Sequence, residues 1–421
     1  MVMFYNYFKL LRQKNFFLLL FAQIISQFGD KLTQIALIGL VSTISNSSKS
    51  LAMITSMTII PVFIFSFISG VYVDRWNKKN TMAVCEFLRG LCTILLLFSV
   101  KLPLLIIYII VFFSFSIGRF FLPAKMAIIP NIIKKEDIFL ANSLISITAT
   151  VSSIFGIGLG GIIVENLGLK PAFLIDIFTF FISALAISFI FIKEDTIFLK
   201  EDILKITKDI TSNFKSSFTK DLKEAIFYIQ KTPQTRYIFR TFFFLFICCG
   251  IFPVFTKFIQ DILNSSTKDI GFIGVFLGVG IFFGSLLYGR IAHRFSIKRV
   301  LDFSLMFSLI YFLFFINILN KFPSRTLAIL FSFFLGLFIS PIFVGASSMI
   351  HKESSYNFLG RIFSALEFIA HLGFIISMFI FSFLADFFGH FTIMLVFGII
   401  SSIFAIIFFI YDYKGIQRTA A

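Results

Sequence analysis

Residues 70–79, Gly70-Val-Tyr-Val-Asp74-Arg75-Trp-Asn-Lys78-Lys79, return in altered form as Gly289-Arg-Ile-Ala-His293-Arg294-Phe295, 219 residues later. A second pair, Gly118 with Pro123 and Gly336 with Pro341, recurs at an offset of 218. Two independent pairs at nearly one offset imply a chain built twice. Both decapeptide copies follow long apolar runs, as a polar turn follows a membrane span. Parallel repeats of six spans joined by a long loop imply two bundles around a midplane site. The expected fold is therefore an all-α membrane protein: twelve transmembrane helices in two six-helix pseudo-symmetric bundles.

The bulk composition demands lipid. Of 421 residues, 58% are hydrophobic and 14% charged, with a mean hydropathy of +0.98. A soluble chain carries roughly 45–50% apolar and about 25% charged residues, so this one has too little polar surface to enclose its core in water. A span needs about 20 apolar residues, and irregular backbone facing lipid would leave amides unsatisfied. The predicted spans are 15–44, 51–73, 81–100, 103–124, 138–165, 171–193, 237–260, 270–292, 300–319, 326–350, 362–386 and 391–411. They divide the chain into an N-terminal bundle (1–193), a cytoplasmic linker (194–236) and a C-terminal bundle (237–421). Within the linker, Phe214, Phe218, Leu222, Ala225, Ile226 and Ile229 repeat at helical spacing among lysines. That pattern predicts an amphipathic helix on the inner membrane surface, the alternative being a plain solvated linker.

Charge sets the orientation. Counting residues at span ends with their adjoining loop, 27 Lys/Arg fall on the side of the N-terminus. These include Lys125, placed in the loop after the fourth span. Seven fall opposite: Lys49, Lys101, Lys170, Lys257, Lys268, Lys321 and Arg325. Both termini are expected in the cytoplasm. The net charge of +16 then reads as anchorage to an anionic leaflet and not as nucleic-acid binding. The N-terminal Lys9, Arg12 and Lys14 precede an apolar run of nearly 30 residues, so a retained first span is expected in place of a cleaved signal. Cys85, Cys92, Cys248 and Cys249 lie in apolar runs without metal spacing, and the 66 phenylalanines are spread over all segments. Neither set is read as a ligand site. No cofactor or metal is expected.

At the repeated decapeptide the chain resembles the major facilitator superfamily, whose signature loop between spans 2 and 3 is similar to Gly70–Lys79. Asn77 replaces its usual second glycine, and His293 replaces the acid in the second copy. Phe28-Gly29-Asp30, Phe121-Leu122-Pro123-Ala124-Lys125, Ala141-Asn142-Ser143-Leu144 and Asp176 resemble the branch holding macrolide exporters, siderophore exporters and the bacterial lysophospholipid transporter. The resemblance implies the major facilitator fold in a bacterial inner membrane. It implies a gating role for Gly70, Asp74, Arg75, Lys78 and Lys79, with Gly289, His293 and Arg294 as the second copy. The plain alternative is a charged turn. Ser152-x3-Gly156-Ile157-x2-Gly160-Gly161 is similar to the antiporter motif but lacks its first glycine and its proline. Gly156, Gly160 and Gly161 are equally read as small residues for close helix packing.

Ionised groups inside a span cost several kcal/mol unless paired or hydrated, so each is a functional candidate. Asp30 and Lys31 lie about halfway along the first span. An acid there can take up a proton and lose its charge, making ligand affinity depend on protonation. The alternative is a static pair of Asp30 with Lys31 or Arg89. Glu86 and Arg89 share a helix face, with Arg119 within reach on the fourth span, and form either a substrate-binding cluster or a structural pair. Glu367 and His371, at i and i+4, are a second proton-coupling candidate or a packing pair. Nucleophile-elbow, zincin and P-loop patterns are missing from the sequence, so the chain is not read as an enzyme or ATP-driven pump.

These readings converge on a secondary transporter exporting amphipathic small molecules, such as drugs, macrolides or siderophores, driven by protons. The alternatives are a lysophospholipid transporter and a non-transporting scaffold or receptor on the same fold. The expected partners are the substrate, protons and the bilayer, and a monomer is expected.

Overall fold

The computed structural model describes residues 8–45, 47–192, 233–265, 267–291, 296–353 and 359–420. The first six long helices are α1 (Lys14–Ile44), α2 (Ser48–Arg75), α3 (Lys78–Leu96), α4 (Leu104–Ile132), α5 (Ile138–Leu167) and α6 (Leu169–Ser188). The second set is α7 (Pro233–Cys249), α8 (Phe252–Leu263), α9 (Lys268–Ile291), α10 (Ile297–Lys321), α11 (Arg325–Glu353), α12 (Leu359–Phe388) and α13 (His390–Ala420). Helices α7 and α8 together fill the place of one span, so the described helices correspond one to one with the twelve expected spans. Among the described residues, ten stretches are long and apolar enough to cross a membrane unaided. Helices α1 and α3 fall short because their middles carry Asp30 with Lys31 and Glu86 with Arg89. They depend on neighbouring helices to shelter those groups.

Several boundaries differ from the sequence expectation, among them the end of the sixth span, at Ser188 and not 193, and of the last helix, at Ala420 and not 411. The fourth span does not stop at 124: α4 runs to Ile132 through Pro123 and Pro130. A proline deletes one backbone donor but need not end a helix packed on its neighbours. The expected single span at 237–260 is broken at Gly250–Ile251, just ahead of Pro253 in the first turn of α8. The third span ends at Leu96, four residues early. The proposed linker helix at 214–229 lies outside the described residues.

The chain forms two compact units. The first holds Met1–Asn46, Met53–Ile210 and Ser266–Gly271, and so includes the first turn of α9. The second holds Ser47–Ala52, Thr211–Ser265 and Phe272–Ala421, and so includes the first turn of α2. In the first, α1 packs on α5 and α6, while α3 packs on α4 and α6. In the second, α7 packs on α12, α8 on α12 and α13, and α10 on α11 and α13. Replacing each span by the one six places later carries the first pattern onto the second, which is the three-dimensional form of the sequence repeat.

Glycines set the closest approaches. A Cβ at Gly156 would stand 2.6 Å from the carbonyl oxygen of Phe28, and one at Gly160 would stand 3.1 Å from the Cα of Leu32. These two glycines therefore let α5 lie against α1. A Cβ at Gly161 would meet the Thr267 carbonyl at 2.8 Å and Gly271 Cα at 3.0 Å.

Each unit also contains a helix start capped by a carboxylate from another helix. Glu165 Oε2 on α5 accepts the backbone N–H groups of Thr267 at 3.1 Å and Lys268 at 2.9 Å. Asp386 on α12 accepts the N–H of Ser48 at 2.9 Å and that of Lys49 at 3.4 Å. Helix N-termini leave donors unsatisfied and carry partial positive charge, so an anion there is stabilising.

A buried ion network in the first bundle

Helices α1, α3 and α6 meet along a stripe that is polar inside. From α1 it takes Gln23, Ser26, Asp30 and Thr33, spaced three or four residues apart so that they share a face. From α3 it takes Glu86 and Arg89, and from α6 Asp176, Thr179 and Ser183. Local structure places each one. Asn77, which stands where the superfamily loop usually has glycine, caps α3: its Oδ1 accepts the Asn80 N–H at 2.8 Å. The cap starts α3 so that Glu86 and Arg89 face inward.

Arg89 is the hub. Its guanidinium pairs with the Asp30 carboxylate, reaches Glu86 Oε1 at 3.6 Å, and lies over the Phe180 ring at 4.5 Å from the centroid. Asp30 is thus bound to Arg89. Lys31 turns elsewhere, with Nζ donating to Gln34 Oε1 at 3.0 Å. Fully buried Asp176 accepts the hydroxyls of Thr33 at 2.6 Å and Thr179 at 3.1 Å. Two carboxylates therefore flank one guanidinium, with Asp176 acting on it from farther off, and protonation of any of the three alters the charge that Arg89 balances.

The network opens on a cavity of about 260 Å³. Its polar wall includes Gln27, Asp30, Arg89, Arg119 and Lys125, with Phe115 and Leu122 among the apolar residues. Lys125 was expected in a cytoplasmic loop. Because α4 continues past Pro123, it instead lies 4% exposed within the helix, its Nζ donating to Gln23 Oε1 at 3.0 Å. The mostly apolar stretch Met126–Ile133 beyond the proline, broken only by Pro130 and Asn131, is the signal that could have placed it there.

Of the second-half candidates, one side chain falls among the described residues. The His371 ring packs on Phe246 at 5.4 Å between centroids, and the Glu367 side chain lies outside the described residues. Of the gating set, Gly70, Asp74 and Arg75 end α2 and Gly289 lies in α9. The side chains of Asp74 and Arg75, and His293 and Arg294 entirely, lie outside the described residues. Lys78 and Lys79 open α3, and Lys79 Nζ donates to the Ser188 carbonyl at 3.3 Å, fastening α3 to the end of α6. Tyr237 and Asp302, which sequence reasoning did not single out, hydrogen-bond at 2.8 Å and join α7 to α10.

A twelve-span, twice-repeated helical chain with buried charges along its helices is a membrane transporter of the major facilitator type, and not an enzyme. More narrowly, residues 6–337 match the family described as transmembrane secretion effectors, and the chain belongs to that family. It is 24% identical over 360 residues to YkuC of Bacillus subtilis (strain 168), an uncharacterised MFS-type transporter, covering 83% of this chain and 81% of that one. It is 26% identical over 367 residues to BacE of the same strain, named as a candidate bacilysin exporter, covering 86% and 85%. Among solved structures, it shares the fold of a bacterial homologue of the human lysosomal transporter Spinster, captured inward-facing and unoccupied. The TM-score is 0.70 at 11% identity, covering 95% of both chains.

Proposed function

We propose that the protein is a proton-coupled exporter of amphipathic small molecules, working by alternating access in a cytoplasmic membrane with both termini inside. The observation that carries this reading is Arg89 between Asp30 and Glu86 beside a cavity. A buried guanidinium shared by carboxylates ties ligand binding to proton occupancy, since gaining or losing one proton changes the charge presented to the cavity. The family description and the resemblance to BacE support the direction of transport. Asp74, Arg75, Lys78 and Lys79, with Gly70 allowing close approach, would supply a contact that makes and breaks as the bundles rock. Glu367 and His371 would be a second proton-linked pair.

The test is flux in proteoliposomes across an imposed pH gradient, with a panel of amphipathic drugs. Export that follows the gradient, and is lost in Asp30→Asn while the variant remains folded, is expected. Flux indifferent to collapse of the gradient would overturn the coupling. A second reading, lysophospholipid transport, is favoured by the three cations against one carboxylate in the cavity wall. Labelled lysophospholipid in the same vesicles tests it directly.

A further inference from the structure

We infer that Lys125, with Gln23 behind it, forms a binding subsite for an oxyanion, a carboxylate or phosphate, at the head of an amphipathic substrate. The inference deepens the transport reading by naming what the cargo presents to the first bundle.

The hydrogen-bond network fixes how Gln23 is oriented. Its amide nitrogen donates to the Ile145 carbonyl at 2.9 Å, a partner that can only accept. The amide oxygen must therefore face Lys125, which it meets at 3.0 Å. An ammonium has three donors, and this neutral oxygen takes one. Among the described residues no carboxylate lies within ion-pair distance of Lys125. Its one hydrogen-bond partner is an amide oxygen, and Glu86 acts on it only from beyond ion-pair distance; a cation buried with so little direct compensation is costly to keep, and a ligand anion would relieve the cost.

Two features shape the ligand. Arg89 spends its charge on Asp30 and Glu86, so the cation that the cavity wall offers a guest is Lys125. Gln27 adds a neutral polar side chain to the same wall. The volume of about 260 Å³ lies below the 300–1,000 Å³ typical of sites that enclose a whole drug-sized molecule. It admits a head group, and Phe115, Phe121 and Leu122 on its wall offer an apolar continuation for the tail.

The full-length protein in a neutral maltoside detergent is titrated with dodecyl phosphate, laurate, dodecyltrimethylammonium and inorganic phosphate, and affinity is read from the thermal shift. Dodecyl phosphate or laurate should stabilise the protein, and the stronger of the two identifies the oxyanion. The cationic amphiphile should bind at least tenfold more weakly. Lys125→Gln should lose about tenfold or more, a change of about 1.4 kcal/mol, while Lys125→Arg keeps most of the affinity. Gln23→Glu places an internal anion against Lys125 and should weaken dodecyl phosphate; because it also loses the donor to the Ile145 carbonyl, it is compared at a temperature where its melting curve shows it folded, and Lys125→Met keeps the subsite testable if Lys125→Gln does not fold. Equal binding of cation and anion, or unchanged affinity in Gln23→Glu, overturns the subsite. Inorganic phosphate binding as tightly as dodecyl phosphate overturns its amphipathic character. Unchanged anion affinity in these variants alongside gradient-driven flux would sink the subsite and spare the transport reading. The reverse pattern would sink proton coupling and spare the subsite.

Discussion

Gly29 lies so close to Asp176 that a side chain on it would overlap the carboxylate. A Cβ built at position 29 collides with Asp176 Oδ1 and Thr179 Oγ1, so α1 and α6 touch there only because one of them has nothing to offer. The glycine next to the midspan acid thus sets how near Asp30 and Asp176 come to the same guanidinium. Gly29→Ala is expected to push the helices apart and break the Thr33–Asp176 hydrogen bond. Overpacking of this kind typically costs about 1–3 kcal/mol, visible as a lower melting temperature in detergent.

Arg89→Gln should destabilise more than Asp30→Asn. Removing one partner of a buried ion pair costs about 3–5 kcal/mol because the other charge is left uncompensated. Without Arg89, both Asp30 and Glu86 lose their cation. Without the Asp30 charge, Arg89 still has Glu86 at 3.6 Å. Thermal melts of the two variants check the order, and equal melting points would show that Glu86 gives Arg89 no support.

The fold could be read from the sequence because it rests on repeated, coarse signals: span length and a duplicated loop. Asp30, Glu86 and Arg89 stood out because charge in an apolar run is rare. Lys125 and Gln23 did not. The proline before Lys125 looked like the end of a helix, and glutamine in an apolar run carries no charge to flag it. That Asp30 chooses Arg89 over its neighbour Lys31 depends on which way α3 faces α1. Helix packing decides that, and no spacing within one helix encodes it.

Gly118 makes room for Arg89, since a Cβ there would already touch Nε at 3.4 Å. Gly118→Ala should be nearly silent, and Gly118→Leu should displace the guanidinium and abolish coupled flux. The repeat partner Gly336 serves backbone packing instead, with a Cβ colliding with Leu277 on α9. Gly336→Ala is therefore expected to lower the melting temperature where Gly118→Ala does not. Melting curves of the two alanine variants decide it.

Tyr237→Phe offers a control outside the network. It removes the hydroxyl that donates to Asp302 and should cost about 1–3 kcal/mol by leaving a buried acceptor underserved. Flux per folded molecule should not change. A large loss of flux with normal stability would assign Asp302 to the mechanism.

Glu165→Gln and Asp386→Asn should each lower stability by about 1 kcal/mol, the usual worth of a helix cap with its dipole interaction. Their melting shifts should add in the double variant, since the two caps share no residue. A shift in the double variant well away from the sum would mean that the caps are coupled.

The two caps differ in when they can form. Lys268 follows Glu165 by 103 residues, so α9 meets its carboxylate as soon as it emerges from the ribosome. Ser48 precedes Asp386 by 338 residues, and the leading amides of α2 wait through nearly the whole of translation for theirs. A truncated or stalled chain that lacks the eleventh span would carry an unfinished second helix, a ready mark for membrane quality control.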